Sequence, residues 1–320
     1  MESLLYFLTR YGDVIDFASA TEASTFFELS SLRMSLHHSN PSLHDNSILN
    51  AACQMRYDPD RLLEIMDTLV SYGASVISQD CYNHTPLMEA AGVQNMDVLE
   101  YLVEQGAIVD ACDKGGCTAL FYAASRNDSI DAIRYLVSKG ASITHHSKFG
   151  YTALQFAALE GKVVVVKELL ALRANPEFHQ VDSLKPDNVP LPLLLAASRG
   201  YRKVIDVFLG HPDCPTEFRI DALLLLGCGN IFDSVEPLWR EALPLHEKCS
   251  ASIQYLPPLE AFGGRTEMRT TADLDAIMSS RADMQYQSWI IRERCIGDLE
   301  LRSILSTYSC MSNVYILGVF

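Results

Sequence analysis

The 320-residue chain is expected to fold as an all-α solenoid of repeated helix pairs followed by a small helical domain. Three observations lead there. "TPLMEAA" from Thr85, "TALFYAA" from Thr118 and "TALQFAA" from Thr152 recur at spacings of 33 and 34 residues. Gly-Ala-like turns keep the same period: "YGAS" with Gly73, "QGAI" with Gly106, "KGAS" with Gly140 and "LRAN" with Arg173. After Cys214 the period stops, while helical spacing of apolar residues continues.

Within each unit the threonine opens a first helix, where its hydroxyl can accept from an orphan backbone N–H. Pro86 takes the first helical position, where a missing donor costs nothing. The pairs Ala90–Ala91, Ala123–Ala124 and Ala157–Ala158 allow neighbouring helices to approach closely. Val98, Leu99, Leu102 and Val103 form the apolar stripe of a second helix. Gly106 and Gly140 close that helix in a left-handed conformation that glycine adopts cheaply. "VVVV" at 163–166 looks like a strand in isolation, but its register places it in a second helix.

Degenerate copies flank these units. "SILNAAC" from Ser47 precedes them, and "LPLLLAASRG" follows the insertion "EFHQVDSLKPDNVP". "LLYFLTRYGDVIDF" reads as the second half of a further repeat, and the Ser-rich 15–46 as a long loop. The expected organisation is 1–46 partial repeat and loop, 47–215 repeats, 216–300 helical domain and 301–320 an atypical apolar tail.

Composition narrows the function classes. A formal charge of −15 works against nucleic acid and against anionic membranes, and favours partners that present basic groups. Nine irregularly spaced cysteines without a CxxC pair argue against zinc and for free thiols in a reducing compartment, cytoplasm or nucleus. Neither the acid-bearing N-terminus nor the short "VYILGVF" reads as a signal peptide or membrane span. Cys228 in "LGCGN" lacks an identifiable base, and no cofactor motif is present, so no enzymatic chemistry is expected. His37–His38 and His145–His146 lack a third ligand at useful spacing, and no metal site is expected. "LLLL" at 223–226 reads as helix core and "RERCIG" at 292–297 as a solvated helix end.

The repeated "TPLMEAA"-type motif and glycine turns resemble the ankyrin repeat. The helix "FRIDALLLLGCGNIFDSVEPLWREALPLHEK" is spaced like a tetratricopeptide helix, and "LPPLEAFGGRTEMR" (256–269) and "IIRERCIG" (290–297) follow it. That order, over roughly 47–297, resembles the Fem (feminization) family. The resemblance implies an ankyrin-repeat solenoid followed by a small tetratricopeptide-like helical domain. It also implies a substrate receptor of cullin-type ubiquitin ligases whose groove holds client C-termini, commonly ending in Arg, while a later box recruits elongin and cullin. The 256–269 stretch is then the linker that fixes the helical domain against the repeats.

Four departures stand out. The family's Phe-Asp-Gly aligns with Gly92-Val93-Gln94, so that carboxylate is absent; a second family acid falls in the 15–46 region, without a clear alignment. A His-Cys pair that holds zinc in some members aligns with Lys148 and Phe149. The elongin-binding continuation has no counterpart in "LRSILSTYSCMSNVYILGVF", which implies either a truncated receptor or a scaffold or competing inhibitor without ligase recruitment.

A repeat stack binds through its turn tips and the outward positions of its first helices. The slot after Thr-x-Leu-x carries Glu89, Tyr122, Phe156 and Leu195, and the next outward positions Arg126, Glu160 and Arg199. The tips add Asp80, Tyr82, Asn83, Asp113, Lys114 and Phe149. The candidate peptide-binding set is therefore Tyr82, Asn83, Glu89, Asp113, Tyr122, Arg126, Phe156 and Glu160, with aromatics and carboxylates suited to a guanidinium.

Overall fold

The computed structural model describes residues 48–53, 59–71, 74–93, 95–126, 130–174, 191–229, 235–249 and 266–296. Segments 1–46 and 301–320, the insertion 177–190 and residues 256–265 lie outside them. Among the described residues every regular element is an α-helix. The described residues up to Ile143 form one compact unit and those from Thr144 a second.

The first unit contains α1 (Ile48–Cys53), α2 (Pro59–Ser71), α3 (Pro86–Val93), α4 (Met96–Glu104), α5 (Ala119–Arg126) and α6 (Asp131–Ser138). First helices stack on first helices (α1 on α3, α3 on α5) and second on second (α2 on α4, α4 on α6). The expected alanines make this possible: Ala90, Ala91, Ala123 and Ala124 are fully buried, with nothing beyond Cβ to separate α3 from α5. Val98, Leu99 and Leu102 form the buried stripe of α4, whose first turn is capped by Asn95 Oδ1 accepting from Val98 N at 3.1 Å. Gly106 and Gly140 close α4 and α6 at φ of 90° and 94°.

The second unit contains α7 (Ala153–Leu159), α8 (Val163–Ala171), α9 (Pro192–Ser198), α10 (Arg202–Leu209), α11 (Thr216–Gly229), α12 (Val235–Cys249), α13 (Thr271–Ile277) and α14 (Arg281–Cys295). Thr152 and Gln155 form a reciprocal capping box at the start of α7, and the 163–166 valines lie in α8 as expected. Arg173 closes α8 at φ 68°, the left-handed position that glycine holds in the first unit. Helix α9 packs against both α7 and α11, so α11 stands where a further first helix would. The compact boundary accordingly falls at 143/144, within the repeats, and the helices after 216 share a unit with the repeats just before them.

Helices α11 and α12 form a hairpin around Trp239, whose Nε1 donates to Leu224 O at 2.9 Å. Gly227 lies under the indole: a Cβ there would stand 2.7 Å from Trp239 Cδ1. Ile220, Leu223, Leu224, Leu243, Met268 and Ile291 complete this core. The described end of the 256–269 stretch, Thr266–Arg269, crosses it as a strap. Met268 N donates to Gln287 Oε1 at 2.8 Å, Gln287 Nε2 donates to Thr266 O at 2.9 Å, and His246 Nδ1 lies 3.0 Å from Arg269 O. Glu267 accepts from Arg294 Nε at 2.7 Å, and Arg294 Nη1 reaches Asp221 at 2.7 Å. The strap thus ties α11, α12 and α14 to one another.

This corrects the expectation of a solvated "RERCIG". The Arg294 side chain is 7 % exposed, because two carboxylates from other elements compensate its charge. Cys228 is buried in α11, donates from Sγ to Leu224 O at 3.2 Å, and its thiol is pushed up to about 12 by burial.

Candidate functional site

The loops that lead into α3, α5 and α7 are built the same way. Asp80, Asp113 and Ser147 each donate a backbone N–H to the carbonyl four residues on, at His84 (3.0 Å), Cys117 (3.0 Å) and Tyr151 (2.8 Å). Each of their carbonyls accepts from the residue three on, at Asn83 (2.9 Å), Gly116 (3.0 Å) and Gly150 (2.9 Å). Those three residues have φ of 62°, 78° and 82°, so only glycine, or asparagine as here, fits cheaply. The side chains repeat the pattern. Asp80 Oδ1 accepts from His84 N at 2.8 Å, Asp113 Oδ1 from Cys117 N at 2.8 Å, and Ser147 Oγ from Tyr151 N at 3.2 Å. In the first unit, Lys114 N donates to Tyr82 O at 2.8 Å and joins one tip to the next.

Beneath these two joined tips lies a buried polar cluster. Tyr122 Oη donates to Asp113 Oδ2 at 2.6 Å and lies 2.5 Å from His84 Nε2. The other ring nitrogen, His84 Nδ1, is 3.5 Å from Glu89 Oε1 and 3.9 Å from Asp80 Oδ2. The His84 and Tyr122 rings meet edge to face, with centroids 5.1 Å apart. Asn50 of α1 donates to His84 O at 3.0 Å and extends the cluster to the preceding repeat. Burial opposes the His84 imidazolium, but the Glu89 hydrogen bond and the charges of Asp80, Glu89 and Asp113 outweigh it and hold His84 above its ordinary value. Burial also pushes the Asp80 carboxyl above the usual carboxylate range, against the backbone hydrogen bond from His84. Cys53, beside this cluster, is held as a thiol by burial and by the Glu89 charge.

The structure thus brings Glu89, Asp113 and Tyr122 together, but under the tips. They are 2 %, 5 % and 1 % exposed. Phe156, in the second unit, is 2 % exposed and packs edge to face on Tyr151 at 5.7 Å, and Leu195 is also buried. The expectation that the slot after Thr-x-Leu-x points outward is corrected for all four. In these short helices that slot sits against the neighbouring repeat, and the groups able to form hydrogen bonds are used there. Tyr82 and Asn83 are half-buried at a tip, Glu160 is half-buried at the end of α7, and Lys114, Lys148 and Phe149 are exposed. Arg126 is the last residue of α5, and its side chain lies outside the described set. Sequence reasoning missed His84. The signal was an acid four residues before it and another five after it, around a left-handed turn residue.

Helix pairs at this period, with hydrogen-bonded tips before α3, α5 and α7, define an ankyrin-repeat protein, and ankyrin repeats imply protein partners. Residues 49–147 match the family described as "Ankyrin repeats (3 copies)" and residues 149–180 that described as "Ankyrin repeat". The chain is 31 % identical over 114 residues to "Protein fem-1 homolog C" of Danio rerio, covering 33 % of this chain and 18 % of that protein. It is 29 % identical over 120 residues to "Protein fem-1 homolog A" of Danio rerio (33 % and 19 %). It is 27 % identical over 115 residues to "Protein fem-1 homolog C" of Xenopus laevis (33 % and 19 %). The repeats and these matches together support a Fem-family ankyrin protein, and the matched region spans under a fifth of each relative's length.

Proposed function

We propose that this chain is a protein-binding module that holds client proteins along its ankyrin tips, in the manner of a ubiquitin-ligase substrate receptor. The observation that carries this reading is the recurrence of one tip geometry before α3, α5 and α7. Backbone and Asp80 or Asp113 hydrogen bonds fix the loops, which leaves Tyr82 and Lys114 able to differ and, beside Asn83, to meet a partner. The net charge of −15 favours clients with basic ends. Each unit by itself offers a contact for a basic group: Tyr82 of the first a ring face for a guanidinium, and half-buried Glu160 of the second a carboxylate. Glu89 and Asp113 act indirectly, by setting the tip.

The test is binding of the purified chain to immobilised peptides ending in Arg, Ala or Gly, with free or amidated C-termini, at low and physiological salt. Salt-sensitive selection for a free terminal Arg, weakened in Tyr82→Ala or Glu160→Gln, is the expected result. Equal binding to all termini would remove C-terminal recognition from the reading. Co-purification of elongin and cullin with the chain separates a recruiting receptor from a scaffold or competing inhibitor.

A further inference from the structure

We propose that His84 is a proton-held pin. As an imidazolium it locks the 80–84 tip to the 113–117 tip and to α5, and loss of its proton loosens that pair. The proton inventory favours the charged form. Tyr122 has one hydroxyl proton, and it goes to Asp113 Oδ2 at 2.6 Å. With that proton committed, His84 Nε2, 2.5 Å from the same phenol oxygen, has to be the donor. A neutral ring with its proton on Nε2 would turn the bare lone pair of Nδ1 toward Glu89 and Asp80. Putting the second proton on Nδ1 removes that conflict and supplies a cation among carboxylates contributed by three elements.

The carboxylates facing the ring pull the same way, and the Tyr82 ring, 6.3 Å away between centroids, and the Cys53 thiol beside the cluster bring no positive charge. Asp80 comes from its own loop, Glu89 from α3, Asp113 from the next loop and Tyr122 from α5; Asn50 of α1 meets only the His84 carbonyl. His84 and Asp113 side chains are each 3 % exposed, so water cannot take over the role of the proton. When the ring becomes neutral, buried carboxylates lose their cation, and the least costly relief is separation of the two tips, which breaks the bond from Lys114 N to Tyr82 O. The surface that carries Tyr82, Asn83 and Lys114 then changes with pH near neutrality.

The experiment uses the full chain labelled at histidine and lysine. The His84 ring signals are identified by their through-space contact with the Tyr122 ring and followed from pH 5 to 9. The expected result is a titration midpoint above the ordinary imidazole value of about 6.5. In parallel, exchange of the Lys114 amide, corrected for its intrinsic pH dependence, should report several-fold more frequent opening at pH 8 than at pH 6. In His84→Gln, a neutral isostere for the Nε2 donor, opening should be frequent and its pH dependence flat. A His84 midpoint at or below the ordinary value would overturn the proposal. So would an Lys114 opening rate that shows the same pH dependence in both proteins. Should the variant fail to fold, the wild-type titration decides alone.

Discussion

In the first unit three buried carboxylates, Asp80, Glu89 and Asp113, surround His84; in the second, Asp221 and Glu267 flank Arg294, with Arg292 bonded near by to Cys228 O. The second cluster is matched in sign by a guanidinium, which keeps its proton at every pH a cell experiences. The first depends on an imidazole, whose proton is exchanged near neutrality. The histidines themselves differ in the same sense. His84 is held above its ordinary value among carboxylates, whereas burial pushes His246, bonded to Arg269 O, below it. One unit is built around a charge that can be withdrawn, the other around a permanent charge and a neutral ring.

The most severe way to break this contrast is Arg294→Ala. It leaves buried Glu267 and half-buried Asp221 without Arg294 and should cost the second unit about 3–5 kcal/mol. Both tryptophans of the chain, Trp239 and Trp289, lie in that unit, so urea unfolding followed by tryptophan fluorescence reads it directly. An unchanged midpoint would mean that the ion cluster is dispensable. Tyr122→Phe strikes the other centre: it takes the donor from Asp113 and the acceptor from His84 and should cost about 1–3 kcal/mol. That loss should appear in exchange of first-unit amides and leave the tryptophan transition in place. Thr270→Ala removes the capping box that starts α13, where Thr270 Oγ1 accepts from Asp273 N at 3.1 Å, and should cost about 1 kcal/mol, again in fluorescence.

Acidity gives a smaller but sharper discrimination, because the two histidines predict opposite signs. His84 has a raised folded value, so its contribution is complete below about pH 6.5 and is lost as pH rises through that raised value. His246 has a lowered folded value, so its contribution is complete above about pH 6.5 and is lost as pH falls through that lowered value. Between pH 8 and 6, first-unit amides should become better protected while the tryptophan transition shifts to lower urea. Parallel movement of both probes would show that these histidines do not govern the pH response.

The helix pairs were legible because their physical cause is periodic: alanines at the packing faces, apolar stripes and closing glycines recur at nearly fixed spacing. Even the valines of α8 fell into place by register rather than by propensity. What could not be read was the orientation of the slot after Thr-x-Leu-x. A glutamate or tyrosine in a short helix looks solvent-facing until the loop before that helix folds His84 or Asp113 over it, and until Tyr122 meets His84 of the preceding repeat. The same applies to Arg294, whose two carboxylates lie 73 and 27 residues away in the chain. Pairings across such distances leave no local period, and a charged helix end reads as solvated. The strap at Thr266–Arg269 carried a specific sequence, yet its partners, Gln287, His246 and Arg294, became apparent only once the helices were packed.

The bond between neighbouring tips runs from one main chain to another, Lys114 N to Tyr82 O, with no side chain taking part. Any residue except proline at 114 can make it, and any residue at all at 82 can accept it. Mutational drift at Cys81, Tyr82 and Lys114 can therefore rewrite what the surface offers while the spacing of the tips is inherited unchanged. A lineage carrying this unit can change the side chains its tips present by single substitutions, without first rebuilding the frame that presents them.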